Sequence, residues 1–191
     1  MRAFAAITIP EEIRKLYSKL CRSMRETADM SVVRPDKMHI TLAFFKDLDK
    51  NHIDKVREAL QQVKPKSLEI RCSGLGKFSR RGIPSVIFVE TQSEALSSFA
   101  KEFRNKLKEA GVPFDDKPFK PHLTVARIRN VSDLNIFERM YRRAKADFSE
   151  ASFFADGVTL FSSDMISYKT IFKTELSVIH NDGHIDLEET L

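Results

Sequence analysis

Two stretches of this chain, PDKMHITLA at 35–43 and PFKPHLTVA at 118–126, agree at every second residue: Pro35/Pro118, Lys37/Lys120, His39/His122, Thr41/Thr124 and Ala43/Ala126. A period of two belongs to an extended strand, whose alternate side chains project from one face. A helix would scatter the shared letters around its circumference. The chain must therefore contain two strands that carry the same Lys-His-Thr-Ala row. The other face is apolar: Met38, Ile40, Leu42 and Phe44 in the first stretch, with Leu123, Val125 and Ile128 as counterparts in the second. The letters that change are mostly core positions, where size and hydrophobicity suffice.

The 83 positions between His39 and His122 recur elsewhere without a gap. Gly74 falls on Gly157, Phe78 on Phe161, Ser79 on Ser162, Thr8 on Thr91, Glu11 on Glu94 and Ile53 on Ile136. A strand at 2–9, a helix at 11–28, a strand at 38–45, a helix at 51–63 and a strand at 67–78 form the first set. The second runs as a strand at 85–90, a helix at 93–110 closed by Gly111, a strand at 121–128, a helix at 133–145 and a strand at 150–161. A further strand is read over 166–179. Ile13, Leu16 and Leu20 fall on Leu96, Phe99 and Phe103, which keeps the apolar helix faces in register.

This periodicity predicts one bilobal domain built by internal duplication, with units 2–83 and 85–166 and a C-terminal strand after 166. The expected class is α+β: two pseudo-twofold-related lobes, each an antiparallel-rich sheet backed by two helices, with a central cleft. Two units are too few for a solenoid.

If the polar faces oppose each other, the cleft holds two His and two Thr. Imidazoles titrate near neutrality, so a facing pair can supply one proton donor and one acceptor. Thr hydroxyls beside them can donate to oxygens that gain charge in the transition state. Phosphodiester cleavage suits this set. A lone H-x-T is more often a structural residue than a catalyst, and the doubling reverses that preference. Zinc requires three or four ligands; each row offers a single His with a Lys beside it, so neither metal nor cofactor is expected.

Lys and Arg total 32 against 27 Asp and Glu, a formal charge of +5 that mildly favours polyanionic partners. Cys21, read in a helix, and Cys72, read in a strand, are expected as free thiols in a reducing compartment. The apolar start is too short for a membrane span, so a cytoplasmic protein without membrane association is expected, as a monomer.

HITL at 39–42 and HLTV at 122–125, with RAFAAITIP and FKPHLTVAR, resemble the two-histidine (2H) phosphoesterase superfamily. The likeness is greatest to its RNA 2′,3′-cyclic phosphodiesterase branch, historically called 2′-5′ RNA ligase (LigT/ThpR-like), and spans essentially the whole chain. It implies metal-free hydrolysis of an RNA terminal 2′,3′-cyclic phosphate to a 2′-phosphomonoester, with reverse 2′-5′ ligation as a companion expectation and tRNA fragments among the candidate RNA partners. It also implies that His39 is the proton donor and His122 the proton acceptor, roles that the near-identical copies do not assign by themselves. Thr41 and Thr124 would hold the non-bridging oxygens. Rival readings are a phosphodiesterase for small cyclic nucleotides or 2′-5′ oligonucleotides, and a non-catalytic RNA-binding module.

Family members often carry Arg after the second motif, and Arg127 matches. In a regular strand its parity turns it toward the core, so either a bulge re-aims it or it acts from the strand end. Lys37 and Lys120 share the His face and could attract phosphate, although a solvated Lys is the plainer reading at a strand entrance. Arg80 and Arg81, in FSRRGIP, form a basic turn suited equally to RNA backbone contact and to solvation. Phe78 and Phe161 read first as packing and second as a surface for a base. His52, His180 and His184 are assigned no role.

Overall fold

The structure, a computed structural model, describes residues 1–63, 68–163 and 167–176. In chain order the elements are β1 (Ala3–Thr8), α1 (Glu11–Tyr17), β2 (Ala28–Val32), β3 (His39–Phe45), α2 (Lys50–Gln62), β4 (Glu69–Arg80) and β5 (Ile83–Gln92). There follow α3 (Glu94–Glu109), β6 (His122–Val131), α4 (Leu134–Ala146), β7 (Ala151–Phe154), β8 (Gly157–Ser163) and β9 (Tyr168–Glu175). The strands form a four-stranded sheet, β3-β1-β8-β9, and a five-stranded sheet, β2-β6-β5-β4-β7. Every pairing is antiparallel.

Three helices begin where side chains satisfy free backbone N–H groups. Asp49 accepts from the N–H of His52, Ser93 from that of Leu96 and Asp133 from that of Ile136. His52 thus stands at a helix start; His180 and His184 lie outside the described residues. The helix read over 11–28 is shorter: α1 ends at Tyr17. Tight turns carry Cys21 and Met24 into the core, and 28–32 is a strand instead. β2 pairs with β6, setting Met30 against Ile128 and Val32 against Ala126. A free strand edge on the other lobe outweighs helical periodicity there. Cys21 therefore sits in a turn; both it and Cys72 are free and buried.

The strand read over 150–161 is two strands in different sheets. β7 pairs with β4 and β8 with β1, the chain crossing at Ala155 and Asp156. Each lobe therefore completes its sheet with the other unit's last strand: β4 lies on β5, and β8 lies on β1. Ile70 pairs with Phe153, the residue 83 positions on, so the local twofold of that ladder coincides with the one relating the lobes.

The uniform offset slips in the first strand. Thr8 stands opposite His39, whereas the residue opposite His122 is Glu90, not Thr91. A one-residue slip reverses which face a side chain takes, and Thr91 is accordingly buried while Glu90 is half-buried on the His face.

One contiguous core runs through both lobes, from Ile7 and Phe45 to Leu75, Phe103 and Phe137. α2 packs on α3, whose other contacts reach β3 and β4, and α4 backs β4, where Lys77 pairs with Glu138 and lies over the Tyr141 ring. No helix among the described residues is long and apolar enough to cross a membrane.

Candidate active site

β3 and β6 lie beside each other across the lobes and carry the two histidines at their first positions. In both, the ring is fixed the same way. His39 Nδ1 lies 2.7 Å from the carbonyl of Lys37, and His122 Nδ1 lies 2.7 Å from that of Lys120. A carbonyl can only accept, so each Nδ1 carries the proton and each Nε2 is left for chemistry. Lys37 and Lys120 thus contribute through their backbones. The Lys37 ammonium lies 5.3 Å over the Tyr168 ring, and Lys120 is exposed.

The rings of the two histidines meet different neighbours. His39 stacks on Phe4 at 4.6 Å between centroids and meets Tyr168 edge-on at 5.6 Å. His122 meets Phe78 at 5.1 Å and Phe88 at 5.3 Å, both edge-on. Phe78 and its counterpart Phe161 are packing residues here, Phe78 against Phe88 and Phe161 against Phe4. Gly76 makes this possible, since a Cβ there would occupy the Phe88 ring.

Burial drives the His39 pKa down to about 4; the Lys37 carbonyl opposes this, while the charges of Arg127 and His122 reinforce it. The two imidazoles are therefore within electrostatic reach across the cleft. Thr41 and Thr124 are half-buried on the same face, and neither hydroxyl has a hydrogen-bond partner among the described residues.

The alternation breaks after each Thr. Ala5 pairs with Ala43 and Ala6 with Thr41, leaving Leu42 as an extra residue; Ile87 pairs with Ala126 and Phe88 with Thr124, leaving Val125. These bulges reverse parity at the same point of both strands. Ala43 and Ala126 consequently turn into the core, contrary to the row expected for them, and Phe44 and Arg127 take their places. The parity difficulty for Arg127 disappears by this route. The first lobe instead sets the Arg2 guanidinium 5.5 Å over the Phe44 ring.

Arg80 and Arg81 lie beyond Phe78 at the β4–β5 turn and are exposed. Arg81 (φ 53°) and Gly82 (φ 80°) both have positive φ, as a type I′ hairpin turn requires. Neither arginine forms an ion pair among the described residues. A cavity of about 420 Å³ opens beside His39, walled by Thr8, Arg14, Phe161 and Tyr168 among others; His122 is not in its wall.

Sequence reasoning did not single out Phe4, Phe88, Glu90 or Tyr168. Phe88 and Glu90 were available from the alternation of SVIFVE, since they share a face. Tyr168 was not, because it belongs to a strand outside the repeat.

Two antiparallel sheets presenting matched imidazole and hydroxyl rows form the architecture of the two-histidine phosphoesterases. The chain belongs to the 2′-5′ RNA ligase superfamily, whose family model matches residues 8–165. It is 30% identical over 130 residues to an RNA 2′,3′-cyclic phosphodiesterase of Archaeoglobus fulgidus, covering 68% of this chain and 73% of the relative. With one of Thermotoga maritima the identity is 28% over 177 residues, covering 91% and 92%. A crystal structure of a protein of Thermus thermophilus shares the fold with a TM-score of 0.75 at 23% identity, covering 94% of this chain and 100% of that one.

Proposed function

We propose that this protein hydrolyses the terminal 2′,3′-cyclic phosphate of RNA to a 2′-phosphomonoester. The observation that carries the reading is the twin anchoring of Nδ1, which leaves two Nε2 atoms on facing strands. The names of the relatives at 30% and 28% identity support the substrate class.

His122 takes a proton from the attacking water as the new P–O bond forms, and His39 gives its proton to the departing 3′ oxygen. Thr41 and Thr124 donate to the non-bridging oxygens, and Arg127 balances their charge. Free His39 is held neutral by burial. An anionic phosphodiester set between the imidazoles opposes that effect, so the acid becomes charged when substrate binds. With an RNA 5′-hydroxyl in place of water, the same displacement forms a 2′-5′ linkage. We also infer that units 2–83 and 85–166 are duplicates, since one twofold relates their ladders.

The test is product analysis on an oligonucleotide ending in a 2′,3′-cyclic phosphate, in the presence of EDTA. A 2′-monoester is expected, with His39→Ala and His122→Ala each lowering turnover by at least about 100-fold. A 3′-monoester, loss of activity in chelator, or normal turnover by either variant overturns the proposal.

A further inference from the structure

The two imidazoles are anchored alike, to the carbonyls of Lys37 and Lys120, but the carbonyls themselves are not held alike. In the first unit the anchor belongs to a closed 3₁₀ turn over Pro35–Lys37. The Lys37 N–H donates to the Arg34 carbonyl at 2.9 Å and the Met38 N–H to that of Pro35 at 3.2 Å. In the second unit the matching positions of Arg34, Pro35, Lys37 and Met38 are Lys117, Pro118, Lys120 and Pro121. Pro121 has no N–H to give, and Lys120 makes no backbone bond to Lys117 among the described residues. The stretch 118–121 accordingly forms no turn, and support for the Lys120 carbonyl has to come from elsewhere.

α3 supplies it. The side chain of Arg104 is largely buried, and its Nη2 lies 2.6 Å from the Lys117 carbonyl, with the Asp115 carbonyl and the Asp116 carboxylate each at 3.3 Å. The guanidinium also lies 5.1 Å over the Phe114 ring. Since Lys117 is the counterpart of Arg34, a side chain donates to the carbonyl that the first unit satisfies with the Lys37 backbone. The position matching Arg104 in the first unit is Cys21, a buried thiol with no such reach. The clamped segment is also tied to the strand of His39, because the Asp115 N–H donates to the Phe44 carbonyl of β3 at 2.8 Å. Between Lys117 and His122 the fixed φ of Pro118 and Pro121 leaves the chain little freedom, and Phe119 packs against the core.

We propose that Arg104 is the positioning residue of the second imidazole: by clamping Lys117 it aims the Lys120 carbonyl at His122 Nδ1 and so keeps Nε2 free. The inference rests on the activity proposed above and deepens it, because a base protonated on Nε2 cannot take a proton from water. The first imidazole needs no such residue, its turn being closed by its own backbone.

Long-range proton–nitrogen NMR of the full chain, at a pH of about 8 where imidazoles are neutral, reads the tautomer of each histidine. Both His39 and His122 should carry the proton on Nδ1 in the wild-type protein; a wild-type His122 protonated on Nε2 overturns the proposal. Arg104→Met should let His122 populate the Nε2–H tautomer while His39 stays as it was, and should lower kcat about tenfold with KM within about twofold. Lys108→Met, which removes only the exposed ion pair with Asp116, should change neither. An unmoved His122 in Arg104→Met, or an equal shift in Lys108→Met, would sink the idea. Arg104→Lys, with one donor in place of the fork, should give a smaller shift of His122 alone, and it decides the matter if Arg104→Met unfolds and moves both histidines. Joint movement in Arg104→Lys as well counts against the clamp. The spectrum needs no substrate, so the two readings fail separately. A shift confined to His122 in a protein that leaves RNA cyclic phosphate intact supports the clamp and removes the activity. Hydrolysis at the wild-type rate by Arg104→Met does the reverse.

Discussion

Arg127, carried by the strand of His122, sets its charge against His39 of the other lobe and lowers its proton affinity. Removing that charge should let His39 titrate higher. Arg127→Met is expected to move the limb of the kcat/KM profile that His39 governs upward in pH and to raise KM for RNA about tenfold through loss of a charge-assisted contact. Steady-state kinetics across pH measures both, and a pH profile unmoved in both limbs with a raised KM would restrict Arg127 to substrate binding.

His39 also makes stability depend on pH. In the folded protein it stays neutral down to about 4, against 6.5 when unperturbed. Between those values the unfolded chain binds the extra proton, so stability falls as pH falls through the window and is complete above it. The contribution is about 3 kcal/mol at its limit. Denaturant unfolding of wild type and His39→Gln at several pH values checks this; the variant should show the flatter curve between about 4 and 6.5.

The bulge residues permit a deletion experiment. Removing Val125 joins Thr124 to Ala126 in regular alternation and leaves Arg127 on the His122 face, so the cost should be that of the lost buried side chain, about 1.5–3 kcal/mol. Removing Leu42 likewise keeps Phe44 on its face and should cost a similar amount. Denaturant midpoints measure both losses, and a loss well above about 3 kcal/mol in either variant would show that the bulge itself, not the side chain it adds, holds the strand in place.

Arg81 occupies a left-handed position, φ 53°, that Asn or Gly adopts more readily. Arg81→Asn should raise stability by about 0.5–1 kcal/mol, seen as a higher melting temperature. A lower melting temperature would mean that the Arg side chain stabilises the hairpin through contacts.

The alternating letters place His39, Thr41, His122 and Thr124 correctly, because two-residue periodicity and backbone pleat are the same geometry. The reading fails one step later, at Ala43 and Ala126. A bulge is a property of the ladder with β1 or β5, and neither Leu42 nor Val125 announces it by residue type. The same limit explains Glu90: an offset counted along the chain cannot register a one-residue slip in how two strands pair. Helix periodicity over 11–28 persists past Tyr17, but the decision between helix and strand at 28–32 belongs to β6, about a hundred residues away. The Lys-x-His spacing was visible twice, yet its purpose lies in a carbonyl, which every residue has and no letter distinguishes.

The crossing of β4 and β8 between the lobes also governs how the chain can be made. β1, at residues 3–8, leaves the ribosome well before its partner β8, which is translated only at residues 157–163, and β9 follows that. The first lobe therefore cannot close while the second is still being synthesised, and the second needs β4 from the first. Folding must await the synthesis of β8 and β9, through pairings of large sequence separation that form slowly. A fragment holding either histidine alone would lack a strand of its own sheet, so neither half of the fold is a domain in its own right.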